Sequence, residues 1–158
     1  MNDAIKGSLA GIKVIDFSTL LPGPLASLFL AETGAEVIKI ERPEIGDEIR
    51  LSQPKWNDQS VSFSMLNRGK KSLSLDLKDP KSLKVLAPII KEADIIIEQF
   101  RPGVMERLGL DYETIKEINK KIIFILQYQR IESLLKCTHT SVSRGAAGFS
   151  NPGGLAAM

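Results

Sequence analysis

The chain has 158 residues, 43% of them hydrophobic and 25% charged, with a formal net charge of +2. This composition is typical of a folded globular domain and excludes a disordered chain. Residues 1–129 carry equal numbers of acidic and basic side chains, so the net charge lies entirely in residues 130–158. The body of the chain therefore lacks the clustered positive charge that nucleic acid binding requires.

Neither a membrane span nor a secretory signal is predicted. The apolar runs at residues 95–97 and 122–126 are far shorter than the roughly 20 residues that cross a bilayer. The first six residues lack the apolar segment of a signal peptide. The single cysteine, Cys137, excludes an internal disulfide framework. Together these features favour a cytoplasmic protein.

The first 42 residues predict a strand, a helix and a second strand. Residues 11–18 are rich in β-branched side chains, and a Pro-Gly-Pro turn follows at residues 22–24. The second proline of that turn suits the start of a helix over residues 25–32, which Gly34 ends in a left-handed conformation. Residues 36–42 form the next strand. Such a unit is typical of parallel sheets.

The middle of the chain predicts a loop, an edge strand and a helix. Residues 43–57 are polar and lack periodicity, which indicates a loop. Apolar and polar residues alternate over residues 72–77, as in a strand with one exposed face. Asp79 and the proline after it begin a helix that we expect to bend near Pro88.

Two further strands, separated by short helices, complete the pattern. Residues 94–100 and 122–126 are the strands. A short helix opens after residue 102 and ends at Gly109, and Asp111 caps a second one. The alternation predicts an α/β fold: a Rossmann-like, three-layer domain with a mostly parallel sheet.

The composition changes after Leu126. Acidic residues cease beyond Glu132, and residues 145–154 are rich in glycine, alanine and proline. We therefore divide the chain into residues 1–126, which form the domain, and residues 127–158, a divergent tail with little fixed structure.

The turn after the first strand is a candidate ligand-binding element. It has no G-x-G-x-x-G sequence, which argues against a dinucleotide oxidoreductase. Gly23 nevertheless stands at a helix start after a first parallel strand, where backbone amides can approach a phosphate. The alternative is that Gly23 belongs to a simple helix-entry turn.

Several basic residues are candidates for phosphate binding. Arg42 ends the second strand, where a cation can bind a ribose phosphate; the alternative is a surface ion pair with Glu41 or Glu44. Arg101 and Arg107 follow a buried strand at the end where open α/β sheets gather ligands. The lysines at 70, 71 and 78 belong to a basic stretch that is interpreted mainly as a solvated face, as most charge runs are.

Metal binding is not predicted. Cys137 and His139 are two residues apart, but no further ligands or orienting partners occur near them in the sequence. Trp56, in the polar loop, is interpreted as a packing anchor rather than a stacking platform for a base.

Four ordered blocks of the sequence resemble family III CoA-transferases, which include formyl-CoA transferase, carnitine CoA-transferase and α-methylacyl-CoA racemase. The blocks are residues 9–18 with 22–24, residues 34–43 with 46–47, residues 66–72 with 75–78, and residues 93–109.

The resemblance implies a coenzyme A site and a substrate class. In that family the residues matching these positions hold CoA: Leu20, Leu21, Arg42, Leu75, Lys78, Gln99, Phe100, Arg101 and Arg107. The family usually has asparagine where Gln99 stands, so one hydrogen bond is expected to shift. CoA thioesters and a carboxylic acid are the implied substrates, with no tightly bound cofactor. The full-length family forms interlocked homodimers.

The resemblance ends near Ile125. Family members continue with a Ser/Gly-rich stretch and then a catalytic aspartate, whereas this chain has no aspartate after Asp111. No catalytic residue is therefore assigned, and His139 receives no such role. We expect an incomplete form of the large CoA-binding domain, and a frame-shift near codon 125 is one hypothesis for it. Three readings stay open: a truncated CoA-transferase, a member of the racemase branch, or a non-catalytic CoA-binding remnant.

Overall fold

The computed structural model describes residues 7–128 and 139–144. Within these ranges the chain forms a six-stranded sheet, a two-stranded hairpin and five α-helices. The strand order of the large sheet is β5-β2-β1-β6-β7-β8. The strands are β1 (Lys13–Asp16), β2 (Glu36–Glu41), β5 (Lys71–Ser74), β6 (Ile95–Glu98), β7 (Ile123–Tyr128) and β8 (His139–Arg144).

The five helices are α1 (Pro22–Glu32), α2 (Val61–Asn67), α3 (Ser82–Glu92), α4 (Val104–Arg107) and α5 (Tyr112–Ile118). The fold class is the predicted one, an α/β domain with a mostly parallel sheet. The five strands β5, β2, β1, β6 and β7 run parallel, and only β8 is antiparallel.

Two apolar clusters lie on opposite faces of the sheet. The larger joins strand residues such as Ile15 and Ile96 to helix residues such as Leu86 and Ile115. The smaller joins Val14, Val37 and Ile97, and the partly buried Leu30 of α1 packs against it. Helices α3 to α5 therefore cover one face and α1 the other, which gives the three layers.

The predicted end of α1 and the predicted cap at the start of α5 are confirmed, and α1 starts two residues earlier than the expected Pro24. Pro22 occupies the first turn of α1, where a missing N–H costs nothing. Gly34 follows the helix with a φ of 102°, a left-handed conformation that glycine adopts without strain. At α5, the Asp111 carboxylate accepts a hydrogen bond from the Thr114 amide.

The predicted loop over residues 43–57 contains short regular elements. A 3-10 helix spans Glu48–Leu51, and a hairpin pairs β3 (Lys55–Trp56) with β4 (Gln59–Ser60). Asn57 and Asp58 form the two-residue hairpin turn, both with positive φ. The predicted edge position of the strand at residues 72–77 is confirmed, since β5 ends the sheet order.

Two segments beyond residue 126 form strands, while the expectation of little fixed structure in the tail as a whole stays a prediction. β7 continues to Tyr128, and β8 pairs antiparallel with it from Ile123↔Arg144 to Tyr128↔His139. The physical reason is that a strand at the end of a parallel sheet has unpaired N–H and C=O groups, which an added strand satisfies. The rest of the proposed tail, including Cys137, lies outside the described residues, and the boundary at residue 126 stays a prediction.

Neighbouring residues of α3 provide a test of the larger core. Leu86 is fully buried and Val85 is 48% exposed. We expect Leu86→Ala to lower the free energy of unfolding by about 2–5 kcal/mol, because it removes buried methyl groups and leaves a cavity. Val85→Ala is the matched control, with a loss below about 0.5 kcal/mol. Urea unfolding followed by circular dichroism measures both, and equal losses would contradict the assigned facing of α3.

Candidate functional site

The residues predicted to bind a ligand lie along one edge of the sheet. Because β1, β2, β5 and β6 are parallel, their carboxyl ends meet at that edge. Leu20 and Leu21 follow β1, Arg42 follows β2, and Leu75 follows β5. The segment 99–101 follows β6. Lys78 and Arg107 lie further along in the segments after β5 and β6, with Arg107 on α4.

The side chains of this group differ in what they present to solvent. Arg42, Lys78, Arg101 and Arg107 are exposed. Within the described part of the chain, only Arg42 of these four forms an ion pair, with Glu48 Oε1 at 3.0 Å. Both partners of that pair are more than half exposed, so it contributes only about 0–1 kcal/mol. The alternative partners Glu41 and Glu44 are not the ones found.

Two predicted site residues turn their side chains toward the core. Leu75 and Phe100 are partly buried and pack against the larger apolar cluster. The Leu75 amide donates to the carbonyl of Glu41 at 2.9 Å. Only their backbone groups, and not their side chains, are therefore suited to a polar ligand.

One face of the sheet changes from apolar to polar toward this edge. On the face that α1 covers, Val14 is followed by Asp16 in β1, and Val37 is followed by Lys39 and Glu41 in β2. All three of these charged residues are at least 95% buried. Buried charges are stable only when they are paired and hydrogen-bonded, and each of these has such partners.

The buried Glu41 carboxylate accepts four hydrogen bonds. Arg50 donates two hydrogen bonds to it, from Nε and from a terminal nitrogen, both at 2.7 Å. The Ser72 hydroxyl donates at 2.7 Å and the Asp47 amide at 3.0 Å. Burial alone would raise the pKa of Glu41, but these hydrogen bonds outweigh it and lower the pKa to about 2. Arg50 also stacks on Phe63, 3.5 Å from the ring centroid. This arginine is therefore fixed in the structure.

Asp16 and Lys70 form a second buried group beneath the start of α1. Asp16 accepts hydrogen bonds from the hydroxyls of Ser18 and Ser27, and Lys70 Nζ lies 3.4 Å from its carboxylate. Lys70 also donates to the Pro24 carbonyl at 2.8 Å and to Asn67 Oδ1 at 2.9 Å. Burial lowers the pKa of Lys70 to about 8, against the opposing charge of Asp16. Lys70 thus binds α1 to α2 rather than lying on a solvated face.

The turn after β1 is held by three side chains from other elements. Lys39 Nζ donates to the Ser18 carbonyl at 2.6 Å, and Gln99 Nε2 donates to the Thr19 carbonyl at 2.7 Å. The Leu20 amide donates to Asp47 Oδ1 at 3.0 Å. Leu20 itself has a φ of 64°, a left-handed conformation that costs a non-glycine residue about 1–2 kcal/mol.

Gly23 is required by a close approach rather than by its backbone angles. A Cβ at this position would lie 2.1 Å from the Ser18 Cβ and 2.9 Å from Gln99 Oε1. Among the first three helical residues, Pro22 and Pro24 lack an amide hydrogen, so only Gly23 could offer one to an anion. The structure therefore favours the helix-entry interpretation of this glycine over a full phosphate cradle.

Sequence reasoning missed Lys39, Asp47 and Glu41 as members of the site. Lys39 could have been recognised from the sequence, because it interrupts the apolar run of β2 with a charge at a position that faces the core.

The interpretation of Trp56 as a packing anchor is wrong, because its side chain is 76% exposed in the described structure. No group of three or more potential metal ligands occurs among the described residues. Likewise, no helix in the described ranges is long and apolar enough to span a bilayer.

The sequence matches the family described as CoA-transferase family III over residues 9–128. The chain belongs to this family. The match covers every strand of the parallel sheet and every predicted CoA-binding position. It ends at the last residue of β7.

Curated relatives and solved structures agree with this assignment. The chain is 44% identical over 119 residues to an acetyl-CoA:oxalate CoA-transferase of Acetobacter aceti, covering 75% of this chain and 31% of that protein. It is 44% identical over 117 residues to a formyl-CoA:oxalate CoA-transferase of Bradyrhizobium diazoefficiens, with 73% and 28% covered. The chain therefore spans about a third of the length of these relatives.

Two crystal structures show the same fold. A hypothetical protein from Mycobacterium tuberculosis superimposes with a TM-score of 0.72 at 36% identity, over 77% of this chain and 34% of that one. A CaiB/BaiF family protein from Brucella suis gives a TM-score of 0.71 at 34% identity, over 77% and 33%.

The close approach at Gly23 gives a stability prediction. We expect Gly23→Ala to destabilise the fold by about 1–3 kcal/mol, because the added methyl group overlaps the Ser18 side chain. The double variant Gly23→Ala with Ser18→Gly removes the overlapping atoms and should lose less than the sum of the two single changes. Urea unfolding of the four proteins measures this coupling, and strict additivity would contradict the contact.

Glu98, at the carboxyl end of β6, gives a pH prediction. It is 3% exposed, and burial raises its pKa to about 6 despite a hydrogen bond from the Phe100 amide. The folded protein therefore binds more protons than the unfolded one between pH 4.5 and 6. The contribution of Glu98 to stability is full below pH 4.5 and declines as the pH rises through 6. Glu98→Gln should flatten the stability profile in that window, as measured by thermal unfolding against pH; an unchanged slope would contradict the shift.

Proposed function

We propose that this chain binds coenzyme A at the carboxyl edge of its parallel sheet, as the CoA-binding portion of a family III CoA-transferase. The observation that supports the proposal is that the predicted contacts Arg42, Leu75 and residues 99–101 directly follow the carboxyl ends of parallel strands. Four of the predicted CoA contacts are exposed basic side chains, three of which have no ion-pair partner within the described residues. Coenzyme A carries phosphate groups, for which such side chains are suitable partners.

Arg42 is proposed to bind the 3′-phosphate of the CoA ribose. Within the described residues its guanidinium is held only by the exposed pair with Glu48, which a phosphate can replace at little cost. The next arginine along the chain, Arg50, is unsuitable because its guanidinium already hydrogen-bonds to Glu41 and stacks on Phe63. Lys78, Arg101 and Arg107 are proposed to contact the remaining phosphates or other parts of the CoA molecule.

The reaction proposed for the complete protein is transfer of CoA between carboxylic acids by way of their CoA thioesters. The names of the two oxalate CoA-transferase relatives favour the transferase branch over the racemase branch. A second candidate for this particular chain is CoA binding without catalysis. The observation favouring it is that no aspartate follows Asp111 within these 158 residues, and an aspartate is the nucleophile in the transferases of the family.

The two candidates are separated by two measurements on the 158-residue chain. Calorimetric titration with CoA tests binding, and an assay of acyl exchange between a CoA thioester and a free carboxylate tests catalysis. Binding without exchange supports the non-catalytic candidate for this chain. Measurable exchange would show that another residue performs the nucleophilic step. Absence of binding would overturn the proposal itself.

Arg42 provides the residue-level prediction. We expect Arg42→Ala to weaken CoA binding by about 1.5–3 kcal/mol, the loss of a charge-assisted bidentate contact. Its effect on 3′-dephospho-CoA should be much smaller. The matched control is Arg68→Ala, because Arg68 is an equally exposed arginine in a surface pair, with Glu32. Equal losses for the two nucleotides, or for the two variants, would contradict the assignment.

A further inference from the structure

Leu20, the left-handed residue at the start of the predicted CoA site, is hydrogen-bonded to a residue from another loop, Asp47. Leu20 is 44% exposed, so burial of its side chain does not account for its strained backbone. Its amide hydrogen bond to Asp47 Oδ1 is the described contact that reaches Leu20 from outside the turn. A backbone conformation of this kind persists only when its surroundings fix it.

Asp47 is itself rigidly held. Its carboxylate also accepts from the Ile49 amide at 3.0 Å, and its other oxygen lies 2.9 Å from Lys39 Nζ. Its backbone amide donates to Glu41 Oε2. The side chains of Asp47 and Lys39 are no more than 2% exposed, which removes them from direct contact with a ligand. Their role has to be exerted through the groups they touch.

Lys39 connects Asp47 to Ser18, the residue two positions before Leu20. Its ammonium group donates to the Ser18 carbonyl at 2.6 Å while it pairs with Asp47. The Lys39–Asp47 pair therefore fixes both ends of the turn 18–20, at a carbonyl and at an amide. The neighbouring Gly46 is also constrained, because a Cβ there would lie 2.7 Å from Glu41 Oε2 and 2.8 Å from Arg50.

We infer that Asp47, charged and oriented by Lys39, is a positioning residue that holds Leu20 in its left-handed conformation and so presents the Leu20–Leu21 backbone to CoA. This inference rests on the proposed CoA site and adds a residue to which no ligand contact is assigned. It predicts an energetic coupling between positions 47 and 20, and not only a loss of stability when Asp47 is changed.

The coupling can be measured with glycine at position 20, which adopts positive φ without strain. We expect Asp47→Ala to weaken CoA binding at least tenfold, because Leu20 then leaves the left-handed region. Adding Leu20→Gly to that variant should restore affinity by threefold or more. Leu20→Gly alone completes the double-mutant cycle, so that its own effect on the affinity is subtracted. A purely structural role of Asp47 predicts no such rescue.

The matched control is Glu44→Gly. Glu44 has nearly the same backbone angle, with a φ of 65°, but it has no hydrogen bond to Asp47 and lies outside the proposed site. Glycine at position 44 should leave the binding defect of Asp47→Ala unchanged. Rescue by Glu44→Gly equal to that by Leu20→Gly would overturn the inference, because it would indicate general relief of strain.

Asp47→Asn carries the same test where Asp47→Ala fails to fold. The amide oxygen of asparagine can still accept from Leu20, while the negative charge opposite Lys39 is lost, so we expect a smaller defect and a correspondingly smaller rescue. Urea unfolding separates this inference from the proposed function. If the wild-type chain fails to bind CoA, the proposed function fails, yet the midpoint shifts of the four proteins in the cycle still report the coupling. Additive midpoint shifts together with additive affinities would overturn the positioning role.

Discussion

The structure at the carboxyl edge of the parallel sheet depends on one buried ion pair, between Lys39 of β2 and Asp47 of the following loop. Removing two charges from water costs several kcal/mol per ion, so the pair is tolerated only because each partner has further hydrogen bonds. Breaking such a pair by removing one partner typically costs about 3–5 kcal/mol. The pair is therefore a weak source of net stability but a strong constraint on geometry. It fixes the loop after β2 against the turn after β1.

The position of the site follows from the way polarity is distributed along the strands. On the face that α1 covers, Val14 and Val37 lie in the apolar cluster, whereas Asp16 and Lys39 lie two residues nearer the carboxyl ends. Because the strands are parallel, these charged positions meet in one layer instead of being scattered along the sheet. The apolar half supplies the packing that stabilises the sheet. The polar half supplies fixed hydrogen-bonding and charged groups that orient the loops after the strands; Lys39, for example, contacts Ser18 and Asp47.

Much of this architecture could be predicted from the sequence because its signals are local. Short β-branched runs marked the strands, alternation marked β5 as an edge, and Gly34 marked the end of α1. The pairing of Lys39 with Asp47 could not be predicted, because nothing local to either residue specifies which distant charge it meets. The same holds for β8, whose pairing with β7 is set by the unsatisfied edge and not by its own composition. The CoA role of the predicted contacts, including Arg42, stays a prediction.

The two arginines that follow β2, Arg42 and Arg50, are held very differently. Arg50 donates two hydrogen bonds to a carboxylate that is 95% or more buried, and its guanidinium stacks on Phe63. Releasing it would leave Glu41 with fewer donors in a buried position, which is costly. In the part of the chain that the structure describes, Arg42 pairs only with the exposed Glu48 and can exchange that partner at a cost near zero. A side chain suited to bind an incoming phosphate has to be positively charged and weakly held. Arg42 meets both conditions, because Arg50 and not Arg42 pairs with the buried Glu41.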